Sequence, residues 1–344
     1  MNLSPKKHAN GCLWLVVMAI VLTVSFGVFS ASLDLPVLLS LFLSGAGSIF
    51  IALKLVGKPK LSGIIGGAVI GVILIGILVA ALNFLFSLIE PPVTSTVFKA
   101  EESVQKTYHI EDNDSVEVYA ANRIWRDNYG NHFSDTLVVR VRDYQKLKNH
   151  INSYRPPSRV TFWGDLYDYI ERTDRPALDI IIDSFRSIQK EKKLNRMEFA
   201  EMVVTCIQDI PYSLVFQEDC LDAANYEHDI RKLLEECREC CIGNIMYGIQ
   251  NPVSFIQNLK GDCDTRTVLI YSLLKSYGYD VAILNSDYYR HSIIGINLPG
   301  SGKSKIYNGK KYMMWETTAK YYAAGTLPAT YSDVSYWDIV LTSK

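Results

Sequence analysis

Residues 261–267 read Gly261-Asp262-Cys263-Asp264-Thr265-Arg266-Thr267, directly before an apolar segment. The apolar side chains of that segment recur at the spacing of an amphipathic helix, and they are Val268, Leu269, Tyr271, Leu273 and Leu274. Cys263 would then lie at the helix N-terminus, where free backbone N–H groups and the helix dipole favour a thiolate. The same N–H groups would stabilise an oxyanion. Cys263 is therefore the candidate nucleophile.

A nucleophilic thiol needs a base, and the base needs an orienting group. His291 opens a strand-like segment, 291–297, and Glu316 lies near the end of another, 311–317. If these strands pair as a hairpin, the two side chains become neighbours and form a Cys-His-acid triad with Cys263. Asp287 and Asp264 are alternative acids, and Asp264 is also a candidate helix cap.

Four motifs are spaced along this region: Gly261-Asp262-Cys263-Asp264, Gly278-Tyr279-Asp280-Val281, His291 and Trp315-Glu316-Thr317-Thr318. Together they resemble bacterial members of the transglutaminase-like superfamily over roughly residues 250–328. The resemblance implies a papain-like fold, with a cysteine-bearing helix packed against a sheet. It implies that Cys263 is the nucleophile, His291 the general base and Glu316 the orienting acid, where the superfamily more often has Asp. We expect no cofactor and no metal.

The N-terminal quarter of the chain is almost uncharged. Its apolar runs are Cys12–Leu33, Leu35–Val56 and Leu61–Ile89, and each reaches the ~20 residues that a membrane-spanning helix needs. Lysines lie before the first run and around the second turn, which predicts that both are cytoplasmic. We therefore predict a multi-pass membrane protein with an extracytoplasmic C-terminal domain. A cleaved signal peptide is the alternative for the first run.

The predicted fold is thus a membrane-anchored α+β protein. Three N-terminal transmembrane helices would precede a transglutaminase-like (papain-like) domain, in which an antiparallel sheet packs on helices. The predicted parts are a cytoplasmic N-terminus (1–11), a three-helix transmembrane region (12–90), a small β-rich module (91–157) and the transglutaminase-like domain (158–344). Alternating residues near 116–142 predict a β-hairpin in the module. Asn195 and Glu198 predict a capping box that begins a helix.

Several further features leave alternatives open. Gly63, Gly67 and Gly71 form one helical stripe, suited either to packing within the bundle or to oligomerisation. The cysteines Cys206, Cys220, Cys237, Cys240 and Cys241 favour one or two disulfides over zinc, with unknown pairing. Gln257 and Gln250 are candidates for an oxyanion donor, and a solvated surface amide is the alternative for each.

The leading functional hypothesis is cysteine-dependent hydrolysis or acyl transfer on peptide or amide bonds at the cell envelope. The acceptor would be water in a peptidase or amidase, and an amine in a crosslinking enzyme. The partners would be a peptide or protein substrate and the lipid bilayer. The net charge of −1 gives no electrostatic case for nucleic-acid binding. The alternative is a catalytically inactive transglutaminase-like binding or scaffold module of the envelope.

Overall fold

The computed structural model describes residues 11–27, 37–57 and 103–343 of the 344-residue chain. The chain divides into two compact units, 1–92 and 93–344. In the first unit, helices α1 (Gly11–Gly27) and α2 (Val37–Leu55) pack against each other. Trp14 and Ala52 are buried.

The predicted membrane anchor is wrong, because no helix in the three described ranges is long and apolar enough to cross a membrane. Helix α1 has 17 residues and α2 has 19. These lengths correspond to rises of about 26 Å and about 28 Å, below the ~30 Å of a hydrocarbon core. The multi-pass location depended on this anchor and is corrected with it. The third predicted span, Leu61–Ile89, and the Gly63, Gly67 and Gly71 stripe lie outside the described residues.

An antiparallel three-stranded sheet begins the second unit. Its strands are β1 (Gln105–Glu111), β2 (Asp114–Arg126) and β3 (His132–Arg140), in that spatial order. Strands β2 and β3 form the predicted hairpin. The Asp127 carboxylate closes its turn by accepting the backbone N–H groups of Tyr129 and Asn131, at 3.0 and 2.8 Å. A short acidic side chain in this role explains why a polar turn follows the strand.

Helices then follow in sequence. They are α3 (Val141–Leu147), α4 (Phe162–Asp174), α5 (Asp179–Lys192), α6 (Arg196–Gln208), α7 (His228–Glu236), α8 (Pro252–Asn258) and α9 (Cys263–Ser276). The predicted capping box is present at α6, where Asn195 and Glu198 each accept a backbone N–H of the other residue. Between α6 and α8, strands β4 (Leu214–Val215) and β5 (Cys241–Ile242) form a short parallel pair.

A five-stranded antiparallel sheet completes the unit. Its strands are β6 (Val281–Ser286), β7 (His291–Ile296), β8 (Ser304–Tyr307), β9 (Lys310–Trp315) and β10 (Asp338–Thr342). Their spatial order is β10-β6-β7-β9-β8. Strands β7 and β9 pair, as expected, but β8 lies between them in the chain, so they do not form a simple hairpin. The region 103–343 is therefore α+β.

Helix α9 lies at the centre of the unit, between strands β6 and β7 on one side and helices α4, α6 and α8 on the other. The sequence pattern predicted an amphipathic helix, but its polar side chains are buried as well. Thr267 Oγ1 lies 3.0 Å from Thr317 Oγ1, and Ser272 Oγ donates to the carbonyl of Val268 at 2.8 Å. Internal hydrogen bonds thus replace the solvent that the polar face was expected to meet.

One principal core joins the three-stranded sheet to the five-stranded sheet through the helices. Trp125 and Phe133 of the first sheet belong to the same buried cluster as Phe199 of α6, Leu269 of α9 and Ile294 of β7. The indole Nε1 of Trp125 donates to the carbonyl of Met202 at 3.1 Å, which satisfies its one polar atom. The sheet containing β1–β3 therefore supports α6, and α6 in turn supports α9.

Candidate active site

Cys263 is the first residue of α9. Asp262 precedes it in an extended conformation, and the Asp262 carboxylate accepts the backbone N–H of Thr265 at 3.1 Å. This N-cap begins the helix at the cysteine. A side chain at Gly261 would lie 2.8 Å from both Phe255 and Thr265, so glycine permits the close packing before the cap. The sequence therefore places the thiol at a helix N-terminus.

His291 and Glu316 meet because β7 and β9 are antiparallel neighbours. Ile294 pairs with Trp315, and continuing this register sets Glu316 opposite Ile293, which is two residues from His291 on the same face. His291 Nε2 lies 3.0 Å from Glu316 Oε2. The contact leaves the other ring nitrogen, Nδ1, for a second partner.

The Cys263 side chain lies close enough to the imidazole for each group to shift the pKa of the other. Cys263, His291 and Glu316 thus form a continuous chain of contacts. Cys263 is 7% exposed, and the side chains of His291 and Glu316 are 12% and 0% exposed. The chain of contacts is therefore sheltered, with the imidazole as its most accessible member.

Three hydrogen bonds fix the far side of Glu316. Its Oε1 accepts the backbone N–H groups of Thr317 and Thr318, at 2.9 and 2.6 Å, and the Thr318 hydroxyl at 2.6 Å. Burial by itself would raise the pKa of Glu316. Attraction to His291 and these donors outweigh it and lower the pKa to about 2. Glu316 is therefore a fixed carboxylate at neutral pH.

The charge states of the other two groups follow from their surroundings. Burial opposes the imidazolium form, but the Glu316 carboxylate and Cys263 raise the pKa of His291 well above its usual range. Burial and the Asp264 carboxylate raise the pKa of the Cys263 thiol, whereas His291 acts to lower it. The imidazole of His291 therefore holds a proton readily. The Cys263 thiol would be harder to ionise if His291 were absent.

Tyr331 is a residue of the candidate site that sequence reasoning missed. Its hydroxyl interacts with the Glu316 carboxylate, burial and that carboxylate raise the pKa of Tyr331, and its ring meets that of His291 edge-on, at 4.9 Å between centroids. The buried Trp337 ring lies 5.9 Å from His291 on another side. Tyr331 lies in a short 3₁₀ turn (Ala329–Tyr331) with no motif around it, so no local signal identified it.

The two alternative acids, Asp264 and Asp287, have other surroundings. Asp264 Oδ1 accepts the hydroxyl of the buried Tyr167 at 2.6 Å, and Asn285 Nδ2 donates to that same hydroxyl at 2.8 Å. Asp264 therefore borders the thiol, held by a tyrosine that the sequence did not suggest. Asp287 is exposed in the turn between β6 and β7. Of the three candidate acids, Glu316 is the one in contact with His291.

The two glutamine candidates for an oxyanion donor differ in surroundings. The Gln250 amide donates to the Lys260 carbonyl and accepts from Asn258, so its side chain supports the loop before Cys263. Gln257 is half-buried near the end of α8. Gln250 thus has a structural role, and the N-terminal N–H groups of α9 are the donors nearest the thiol in the sequence.

The clustered cysteines form two disulfides, Cys220–Cys241 and Cys237–Cys240. Cys206 and Cys263 are free thiols among the described side chains, and Cys206 is fully buried in α6. Within the described ranges, no group of three or more His, Cys, Asp or Glu residues could hold a metal ion. The thiol of Cys263 is therefore available for chemistry.

Comparison with known proteins finds no matching family model, curated protein or solved structure. The resemblance of residues 250–328 to the transglutaminase-like superfamily stays a prediction. The functional argument accordingly rests on the geometry of Cys263, His291 and Glu316.

Replacing Glu316 by glutamine is expected to lower the pKa of His291, because the amide removes the negative charge that favours the imidazolium. An NMR titration of the His291 ring in wild type and Glu316→Gln measures this change. Asp287→Asn is the matched control, since it removes an exposed carboxylate from the turn that precedes His291. An unchanged His291 pKa in Glu316→Gln would contradict the assigned contact.

Proposed function

We propose that this chain catalyses cysteine-dependent acyl transfer on peptide or amide bonds, with hydrolysis as the outcome. The observation that carries the proposal is His291, in contact with Cys263 on one side and 3.0 Å from Glu316 on the other. This arrangement supplies a nucleophile, a base and an orienting group from separate elements. Cys263 is the nucleophile, His291 the general base and acid, and Glu316 the orienting acid.

Each proton in the proposed reaction has a stated place. His291 accepts the thiol proton, and the Cys263 sulfur attacks the carbonyl carbon, whose oxygen takes the displaced electron pair. The backbone N–H groups at the start of α9 stabilise that oxyanion. When the carbon–nitrogen bond breaks, the imidazolium gives its proton to the leaving amine and a thioester remains. Water, deprotonated by His291, then attacks the thioester carbonyl carbon. The carbon–sulfur bond breaks, the acid product leaves, and the imidazolium returns its proton to the Cys263 sulfur.

The protein environment supports this exchange. The ionised Glu316 favours the imidazolium, and an imidazolium beside Cys263 favours the thiolate. The low exposure of Cys263 favours a slender substrate, such as an extended peptide or an amide side chain. The bacterial proteins that the sequence resembles are more often peptidases than crosslinking enzymes, which favours water over an amine as the acceptor.

Thiol alkylation tests the proposal. Limited iodoacetamide near neutral pH is expected to label Cys263 well ahead of Cys206, which serves as an internal control because it is fully buried and burial raises its pKa. His291→Ala should slow the labelling of Cys263 at least about tenfold, because the imidazolium that stabilises the thiolate is lost. Peptide mapping by mass spectrometry gives both rates. Labelling of Cys263 that is slow and independent of His291 would favour the binding module.

A further inference from the structure

Five aromatic residues form a continuous cluster beside His291. They are Tyr288, Tyr289, Tyr331, Tyr336 and Trp337, and we call them the aromatic wall. Neighbouring rings contact each other one after the next, with centroid distances of 4.2 Å (Tyr288–Tyr336), 5.6 Å (Tyr336–Tyr289) and 5.7 Å (Tyr289–Trp337). Tyr331 and Trp337 meet His291 at 4.9 and 5.9 Å. The wall therefore runs from the imidazole outward.

The outer end of the wall is open to solvent. Trp337 is fully buried, whereas Tyr288 and Tyr336 are 68% and 45% exposed. These two rings stack nearly parallel, at 15°. Their stacking leaves the outward ring faces in contact with water, and exposed apolar surface beside a candidate catalytic residue is a candidate binding surface.

The position of Tyr288 and Tyr289 is unusual for structural residues. Both lie in the turn between β6 and β7, which the Ser286 hydroxyl closes by accepting the Tyr289 N–H at 3.1 Å. Turns of this kind favour Gly, Asn, Asp and Ser. Here the chain instead carries two large rings, and Arg290 adopts a left-handed φ of 50° immediately before His291. The turn thus presents aromatic surface next to the base.

The direction of proton transfer in acyl transfer indicates which part of a substrate would contact the aromatic wall. In acyl transfer the imidazolium protonates the leaving nitrogen, so the leaving group lies on the imidazole side of the sulfur. The aromatic wall extends from that same imidazole. A substrate residue that follows the scissile bond would therefore pass along Tyr288 and Tyr336.

We infer that the aromatic wall is a specificity subsite for an aromatic or large aliphatic side chain on the leaving-group side of a peptide substrate. This inference rests on the proposed function of Cys263 and His291. Ring stacking contributes energy beyond burial, and the tyrosine hydroxyls keep the exposed rings compatible with water. The substrate class is thus a peptide whose bond is cut before an apolar residue.

The test measures binding without requiring turnover. Phe-Ala-Ala-amide and Gly-Ala-Ala-amide mimic two leaving groups, and each is titrated as a protectant of Cys263 against iodoacetamide. In the full-length protein, Phe-Ala-Ala-amide should protect at about a threefold to tenfold lower concentration. Tyr288→Ala/Tyr336→Ala should abolish this ratio. Tyr129→Ala is the matched control, because Tyr129 is 63% exposed in the β2–β3 turn. It should keep the ratio.

The outcomes separate the two proposals. Equal protection by both peptides, at a Cys263 that reacts rapidly and depends on His291, would overturn the subsite and leave the proposed function standing. A preference for phenylalanine that survives Tyr288→Ala/Tyr336→Ala would also overturn the subsite. Cys263 that reacts slowly and independently of His291 would overturn the proposed function itself, and the subsite with it.

Discussion

Cys263→Ser is expected to reduce peptide or amide hydrolysis at least about a thousandfold, while the protein stays folded. A serine hydroxyl ionises far less readily than a thiol, and His291 is positioned for proton exchange with sulfur. The substitution changes one buried atom at the N-terminus of α9, so the N-cap and the packing of the helix remain. Turnover is measured on a mixture of peptides by mass spectrometry of the products.

Cys206→Ala is the matched control for this loss. It removes the other free thiol among the described side chains, from the middle of α6 rather than from the end of α9. Circular dichroism and thermal unfolding show whether each variant is folded. Full activity in Cys263→Ser, or a comparable loss of turnover in a folded Cys206→Ala, would remove Cys263 from the mechanism.

The elements around the thiol were accessible to sequence reasoning because their signals are local. The sequence offered Asp264 as the cap of α9, whereas the N-cap is Asp262, two residues earlier, and the helix ends two residues before Gly278, whose φ is +76°. The capping box of Asn195 and Glu198 at α6 is a pattern that spans four residues. A left-handed glycine and a capping carboxylate act over a few residues, so their consequences can be predicted without tertiary contacts.

The contacts that refine the site were not accessible because they join distant parts of the chain. Tyr167 and Asp264 are 97 positions apart, and Asn285 lies 118 positions from Tyr167. Tyr331 comes to Glu316 through an irregular segment between β9 and β10. Nothing in the neighbourhood of these tyrosines distinguishes them from others in the sequence. Their roles depend on how α4 and the strands pack on α9.

The membrane prediction failed for a different reason. Apolar composition over Cys12–Leu33 and Leu35–Val56 was taken as the length of two helices, but the described helices are 17 and 19 residues long. An apolar run sets an upper limit on the helix within it, and helix ends are the least certain part of any sequence pattern.

Arg266 is expected to be among the most stabilising residues of the second unit. It is 0% exposed, and its guanidinium donates to the carbonyls of Gly261, Ile207 and Pro211, at 2.9, 3.0 and 2.6 Å. Burial lowers its pKa to about 10, so the charge persists at neutral pH. The Arg266 guanidinium therefore links the end of α6 to Gly261, the residue that precedes the N-cap of α9.

Arg266→Met should lower the free energy of unfolding by about 3–5 kcal/mol, because three buried carbonyls lose a charged donor, and those of Ile207 and Gly261 keep only backbone N–H donors. Urea denaturation measures the change, and the alkylation rate of Cys263 reports whether the start of α9 has moved. Arg172→Met is the control. Arg172 is 66% exposed in α4 and pairs with Asp168 at the surface, so its loss should cost under about 1 kcal/mol. Equal stability of the two variants would mean that the Arg266 guanidinium does not stabilise the helix that carries Cys263.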